Sequence, residues 1–365
     1  MSKIAVVAGG SAGVGRAVVD MMLDRGWRVA VLARGKERLD EIEAQYGDRV
    51  WTRACDVAEW PQVEKAASDL VAHWGKPDVW VNSAMLTVIS PFKDMTDAEF
   101  RRVTEGTYLG TVNGVRAALQ HMERGNVVNV GSALSYRGLP WQSAYVGAKH
   151  AVNGFTQSVR SELIRQGRPI EIGLVQLPAV NTPQFDWARN RMDNKPQPAE
   201  PIYQPEVAAR GVMKAIDDDC REVLVGRAAV QLVFGNMLAP DYFDRMLAEN
   251  GVEMQRSDQT DWGRGDNLET PLSDYPSRAH GSFDHKAEVQ GMAVDADATR
   301  KALAIGGAAL LFGLGALVGR SAAPSPRRRV ARREAPVAVE ETGARWGYTD
   351  HARETLARHD RAAGH

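Results

Sequence analysis

Cysteine is scarce in this chain. Cys55 and Cys220 are the only two in 365 residues. They offer no disulfide framework and no metal-ligand spacing, and they suit a reducing compartment. Neither charge sign dominates: 45 basic and 46 acidic side chains leave a net charge of −1. Whole-molecule electrostatics therefore make no case for nucleic acid. The start lacks an apolar run long enough for an export signal, because Met1-Ser2-Lys3 passes at once into Ile4-Ala5-Val6-Val7. That run reads as a first strand, and a cytosolic body is expected. No internal repeat is visible. His280 and His285 have no cysteine partners and read as surface residues, so no metal is assigned. The length allows one large domain with additions, or two domains.

What the chain does contain is alternation. Ile4–Ala8 has a buried-strand pattern, and Gly9-Gly10-Ser11-Ala12-Gly13-Val14-Gly15 leads from it into a helix over residues 16–25. A strand, a glycine-rich turn and a helix make a phosphate cradle, with backbone amides facing the anion; any tight strand–helix turn also uses glycine. Strands over 27–33, 50–54 and 78–81 follow, with helices over 37–46 and 61–74 between them. Such spacing predicts an α/β fold, a Rossmann-like doubly wound parallel sheet with helices on both faces. The second strand ends at Ala33-Arg34. A cation with no carboxylate at this place fits a ribose 2′-phosphate, hence NADP(H). The other reading makes Arg34 a solvated residue entering a helix.

The chemistry gathers between Ser132 and Lys149. Ser132 closes the apolar run 126–130, and Tyr145-Val-Gly-Ala-Lys149 lies thirteen residues on. On a helix Tyr145 and Lys149 share a face. A Lys⁺ beside the phenol is expected to lower its pKa from about 10, which makes Tyr145 a usable general acid/base. A surface Tyr and Lys on an ordinary helix would give the same spacing.

Together these motifs resemble the short-chain dehydrogenase/reductase family over residues 1–235. Ala8 to Gly15 resembles its TGxxxGxG loop, Asn82-Ser83-Ala84-Met85 its NNAG segment, and Ser132 with Tyr145 and Lys149 its catalytic Ser and YxxxK. The resemblance implies an oxidoreductase in which Tyr145 moves a proton, Ser132 orients the substrate oxygen, and Lys149 binds the nicotinamide ribose. It implies cofactor contacts at Gly9, Ser11, Gly13, Val14, Gly15, Arg34, Asp56, Val57, Asn82, Ala84, Tyr145, Lys149, Pro178, Val180 and Thr182, with Asp56 against adenine. It also implies a small-molecule substrate and a homo-oligomer. The chain departs from the pattern at Ala8, Ser83, Met85 and Ala179. Thr107 stands where the family has a fourth catalytic residue, Asn. Its hydroxyl is expected to hold the water linking Lys149 to solvent. Asn113 is six residues further along and cannot simply substitute.

Residues 183–205 read as a lid over the substrate. Trp141, Phe185, Trp187, Met192 and Tyr203 supply either an apolar substrate face or the packing of lid on body. A helix over Pro205–Asp217, a last strand over Glu222–Val225, and two helical pieces broken at Pro240 follow. From 251 to 297 periodicity fades, as in a linker or a loosely packed extension. Residues 236–300 are thus expected to form a helical or irregular extension. Residues 301–320 form a hydrophobic segment and 321–365 an Arg-rich tail expected to be disordered. The run from Ala302 to Gly319 has 18 uncharged residues, the lower edge of a membrane span, with Arg327-Arg-Arg-Val-Ala-Arg-Arg333 beside it for anionic headgroups. It spans, dips into the bilayer, or packs on protein.

Two functions follow. One is an NADP(H)-dependent interconversion of a carbonyl and an alcohol on a small, apolar substrate. The other is a non-catalytic dinucleotide-binding module, a membrane-tethered redox sensor or scaffold.

Overall fold

Continuous apolar runs build the sheet. Ile4–Ala8 (β1) is buried at every position, and Arg28–Ala33 (β2) at all but its first. Val50–Ala54 (β3), Val79–Asn82 (β4), Gly125–Ser132 (β5), Ile170–Leu177 (β6) and Glu222–Val225 (β7) complete the parallel set. Runs without alternation belong to strands covered on both faces. The computed structural model describes residues 2–305, which belong to one compact unit. Among them the main sheet has the order β8-β7-β6-β5-β4-β1-β2-β3, where β8 is Ala293–Asp295 and alone runs antiparallel.

Helices Gly13–Asp24 (α1), Lys36–Tyr46 (α2), Trp60–Trp74 (α3), Asp97–Thr104 (α4), Gly110–His121 (α5) and Ser143–Gln166 (α6) alternate with these strands, and Pro205–Asp217 (α7) precedes β7. Val18, Val19 and Met22 of α1 join Ala208 and Val212 of α7 on one sheet face. Val63 and Leu70 of α3 join Val115, Ala118 and Leu163 on the other. The expected doubly wound α/β architecture is present. Its switch point lies between β1 and β4, where ligands settle outside the strand C-termini.

Beyond β7 come Gly226–Leu238 (α8) and Pro240–Asn250 (α9), broken at Pro240 as expected. Residues 251–297 are not the loosely packed linker their composition suggested. Arg256–Thr260 pairs with Asn194–Pro196 of the lid. Ala287–Glu288 pairs with Ile202–Tyr203, and β8 joins the main sheet. Leu268 and Ala296 are fully buried, and Arg300 reaches the buried Glu222 at 2.5 Å. The segment lacks periodicity because it docks through backbone carbonyls, short pairings and isolated apolar anchors rather than one apolar face.

Of the run from Ala302 to Gly319 only 302–305 are described; they are helical and exposed. The remainder, and the Arg-rich tail, lie outside the described residues. Among the described residues no helix is long and apolar enough to cross a membrane.

Candidate active site

One cleft of about 410 Å³ runs along the C-terminal ends of the strands. Its floor is the turn after β1. Gly9 sits at φ 86°, and a Cβ there would lie 2.5 Å from the Ala84 nitrogen. A Cβ on Gly15 would lie 2.1 Å from the Gly9 carbonyl oxygen. Both positions need glycine, because the loop folds back on itself and against the segment after β4. Gly9, Ser11, Gly13 and Val14 line the cleft; Gly15 lies behind them and closes the turn.

Ser132, Tyr145 and Lys149 meet on one wall. Ser132 ends β5, and its Oγ accepts from the Leu134 N–H at 3.1 Å, which leaves its own hydrogen to donate. Tyr145 and Lys149 come from the first two turns of α6 with the Lys Nζ 5.7 Å from the Tyr ring centroid. Lys149 Nζ donates to the Val130 carbonyl at 2.6 Å. Burial pushes the ammonium down to about 8. Burial also pushes the Tyr145 phenol up to about 12, with the Ser132 hydroxyl opposing the rise. The depressed phenol expected from Lys149 is therefore not what this arrangement gives: desolvation by burial prevails. Tyr145 keeps a solvent-reachable edge on the cleft, and protonated it is a donor toward an oxygen placed there.

The Thr107 hydroxyl, expected to hold a water for Lys149, is bonded instead to the Leu86 backbone. Thr107 is fully buried in a π-helical turn, Glu105–Leu109, between α4 and α5. Its Oγ1 donates to the Leu86 carbonyl at 3.1 Å and accepts from the Leu86 N–H at 2.9 Å. The hydroxyl is spent on fixing the segment after β4. Asn113 is spent too, donating to Val57 and Ala58 carbonyls. Asn82 lies beneath the cleft rather than on it. Its amide accepts from Trp80 Nε1 and donates to Asn129, which in turn donates to Thr156. Ala84, Val57, Pro178, Val180 and Thr182 do line the cleft.

At the far end of the cleft Arg34 meets two arginines that the sequence reading missed, Arg38 and Arg102. Asp56, expected against adenine, is paired with Arg102 at 2.5 Å. Arg38 carried a signal in hindsight, one helical turn beyond Arg34; Arg102 carried none. Arg38 also lies over the Trp187 ring at 5.1 Å, a cation–π contact.

The opposite end is apolar. Leu134, Leu139, Leu232, Met246, Leu247 and Met254 line it, whereas Trp187 of the lid stands at the arginine end, under Arg38. The contributions of α8 and α9 were missed, since nothing local marks a helix as a pocket wall. Tyr203 is instead part of the main core. Met192 and Trp141 pack on Ile89 in a cluster under the lid. For these three, packing of the lid is the correct reading.

The family model for short chain dehydrogenase matches residues 3–193, just over half of the chain. The chain belongs to the short chain dehydrogenase family. An uncharacterized oxidoreductase of Bacillus subtilis, YxnA, is 29% identical over 266 residues, covering 70% of this chain and 74% of that protein. The 3-oxoacyl-[acyl-carrier-protein] reductase of Bos taurus is 30% identical over 169 residues, 46% of this chain and 71% of that one. The crystal structure of a short-chain dehydrogenase from Streptomyces avermitilis has a TM-score of 0.58 at 26% identity and covers 68% of this chain and 97% of its own. A short chain dehydrogenase from Burkholderia cenocepacia J2315, in complex with NADP, has a TM-score of 0.57 at 24% identity and covers 67% and 97%. Membership makes this chain an oxidoreductase of a family that uses NAD(P) and acts on small molecules.

The cleft fits such a cofactor. Its floor is a loop with no room for a Cβ at Gly9 or Gly15, and the buried Nε of Arg38 has no partner among the described residues. Three guanidinium groups face one carboxylate there, a donor set suited to phosphate.

Proposed function

We propose that this short-chain dehydrogenase is an NADP(H)-dependent oxidoreductase that interconverts a carbonyl and an alcohol on a small substrate with an apolar face. One observation carries the reading. Ser132, Tyr145 and Lys149 lie on the wall of the same cleft whose floor is the glycine-rich turn and whose far end holds Arg34, Arg38 and Arg102. A proton donor, a phosphate cradle and an anion pocket are thus one continuous site.

The nicotinamide, when bound, supplies or accepts the hydride. The protein's own groups do the rest. Tyr145, protonated at neutral pH, gives its proton to the carbonyl oxygen during reduction and takes it back during oxidation. Ser132 donates to the same oxygen and stabilises the charge that develops on it. Lys149, with one N–H committed to Val130, has two left for ribose hydroxyls. The turn after β1 takes the diphosphate, and Pro178, Val180 and Thr182 flank the nicotinamide. Arg34 takes the 2′-phosphate, with no acid at the end of β2 to repel it. Leu134, Leu232 and Met246 exclude water from the reacting carbon.

Assaying NADPH oxidation against aldehydes, ketones and quinones tests this. Turnover with at least one carbonyl class, faster with NADPH than with NADH, is expected. Saturable NADPH binding without turnover in either direction would replace the enzyme by a dinucleotide-binding module.

A further inference from the structure

Residues 266–285 lie outside the stretch that the family model matches, yet they follow the whole cofactor groove. At one end the Leu268 and Glu269 carbonyls accept from Arg34 Nη1 at 3.0 and 3.1 Å, and the Asn267 carbonyl accepts from Nη2. Leu268 also accepts from Arg102 Nε at 3.2 Å, and the Leu272 carbonyl from Arg38 Nη1 at 2.7 Å. In the middle the Ser277 hydroxyl donates to the Ser11 carbonyl, and the Arg278 carbonyl accepts from the Gly13 N–H. At the other end the Gly281 N–H donates to the Asn181 carbonyl, beside Thr182.

The acceptors at the arginine end are neutral. They orient the guanidinium groups without neutralising them, and Asp56 forms the one ion pair described for the three. Arg34 Nε, Arg38 Nη2 and Arg102 Nη1 take part in none of the bonds above, and the buried Arg38 Nε has no partner. Like charges do not gather unaided; the Leu268 carbonyl, shared by Arg34 and Arg102, holds two of them together. The segment is itself anchored. Leu268 is fully buried among Leu86, Val88, Val103, Ala144 and the Tyr145 ring, and Tyr275 meets Trp187 edge to face at 5.4 Å between centroids.

We propose that this segment is a working wall of the cofactor site, whose main-chain carbonyls set Arg34, Arg38 and Arg102 for the 2′-phosphate of NADP(H). The inference rests on the NADP(H) reading above and extends it to a part of the chain that the family pattern does not supply. Leu268 and Tyr275 are then positioning residues for cofactor choice.

Full-length protein is titrated with 2′,5′-ADP and with 5′-AMP, which differ only in the 2′-phosphate. Wild type should bind 2′,5′-ADP the more tightly. Leu268→Ala and Tyr275→Ala should each weaken 2′,5′-ADP by about tenfold and 5′-AMP by less than about threefold, since charge-assisted contacts carry that much. Hydrogen exchange on wild type is read in parallel, so the outcome stands even if a variant fails to fold. Amides of 266–278 should gain protection with 2′,5′-ADP and not with 5′-AMP. If wild type does not distinguish the two ligands, the NADP(H) reading fails. If it does, but the variants keep the ratio, or the segment loses protection on binding 2′,5′-ADP, the wall is merely structural or is displaced, and this inference alone is overturned.

Discussion

Lys149 Nζ sits 2.6 Å from the Val130 carbonyl oxygen, and the strand register explains why that oxygen is available. The ladder between β4 and β5 ends at the Asn82–Asn129 pair, whereas β5 continues to Ser132. Past that point the edge of β5 facing β4 opens onto the cleft, and α6 aims Lys149 at it. The ammonium is 3% exposed and, among the described residues, faces no carboxylate. Its folded-state pKa of about 8 lies below the ordinary lysine value. Below pH 8 both folded and unfolded chains carry the proton, and burial of the charge costs the fold in full. Between 8 and about 10.5 the unfolded chain binds more protons, so stability rises with pH. Lys149→Met should therefore stabilise the protein by a few kcal/mol at pH 7, a gain that shrinks to nothing above about pH 10.5. Urea unfolding at pH 7, 9 and 10.5 checks it; a pH-independent difference would show that the ammonium is not desolvated as described.

The sheet was legible because strands buried on both faces write themselves as apolar runs. The order of motifs placed Ser132, Tyr145 and Lys149 together because all three sit on regular elements whose ends meet at the switch point. What sequence could not show was long-range. Arg102 lies 68 residues beyond Arg34, on α4, and nothing near it marks it for the cofactor groove. Leu268 stands in a stretch with no helical or strand period, since it docks by one side chain and a few carbonyls. Tyr203 and Met192 read equally well as pocket or core, because hydrophobicity is the same on either side of a wall. The Tyr145 pKa was misread because spacing reveals a neighbouring charge but not the depth of burial.

Tyr145→Phe keeps the ring packed against Leu86 and Leu268 and removes only the hydroxyl. Turnover should fall by about 10²–10⁴-fold, the usual contribution of a positioned acid/base, while NADPH affinity stays within about threefold. In wild type, carbonyl reduction needs the protonated phenol and should be flat near neutrality. Alcohol oxidation needs the phenolate and should climb with pH toward the alkaline limit, because burial holds the phenol near 12. Retention of most of the wild-type rate in the Phe variant would end the assignment of Tyr145 as acid/base.

Thr107→Val removes one hydroxyl at constant shape. It leaves the Leu86 N–H and carbonyl without their shared partner in a fully buried place. The cost should be about 1–3 kcal/mol, seen as a lower Tm. The segment after β4 should loosen, so KM for the cofactor should rise while the pH profile of kcat keeps its shape. A shifted kcat profile with unchanged stability would instead place Thr107 in the proton path.

Arg34→Ala should lower the NADPH preference over NADH by about ten- to a hundredfold, since a hydrogen bond to a charged group contributes roughly 1.5–3 kcal/mol. NADH kinetics should change little. Arg34→Lys should recover only part of the preference, because an ammonium keeps the charge but loses the planar fork. Equal ratios in all three proteins would make Arg34 a structural tie to residues 267–269.

Glu99 links the lid to the body and should govern its acid stability. It is 4% exposed at the start of α4, where it completes a capping box with Thr96. Its Oε1 accepts from Arg189 at 3.1 Å and from Arg191 at 2.8 Å, both in the lid. Burial alone would raise the carboxyl. Hydrogen bonds from Arg191, Thr96 and Arg189 together outweigh it and hold the group at about 2. With the folded pKa below the unfolded one, the carboxylate's contribution is complete above about pH 4.5 and is lost as pH falls toward 2. Glu99→Gln should cost roughly 3 kcal/mol at pH 7, by leaving Arg191 without its anion and Arg189 with Asp266 alone. The gap to wild type should narrow at pH 3 and nearly close at pH 2. Freed from α4, the lid strand at Arg189–Asn190 should also hold substrate less well, raising KM for the carbonyl more than it lowers kcat. Guanidinium chloride would mask the charges, so urea melts at pH 7, 4, 3 and 2 are the measurement; a stability gap that stays constant with pH would show that the pair contributes through packing rather than through charge.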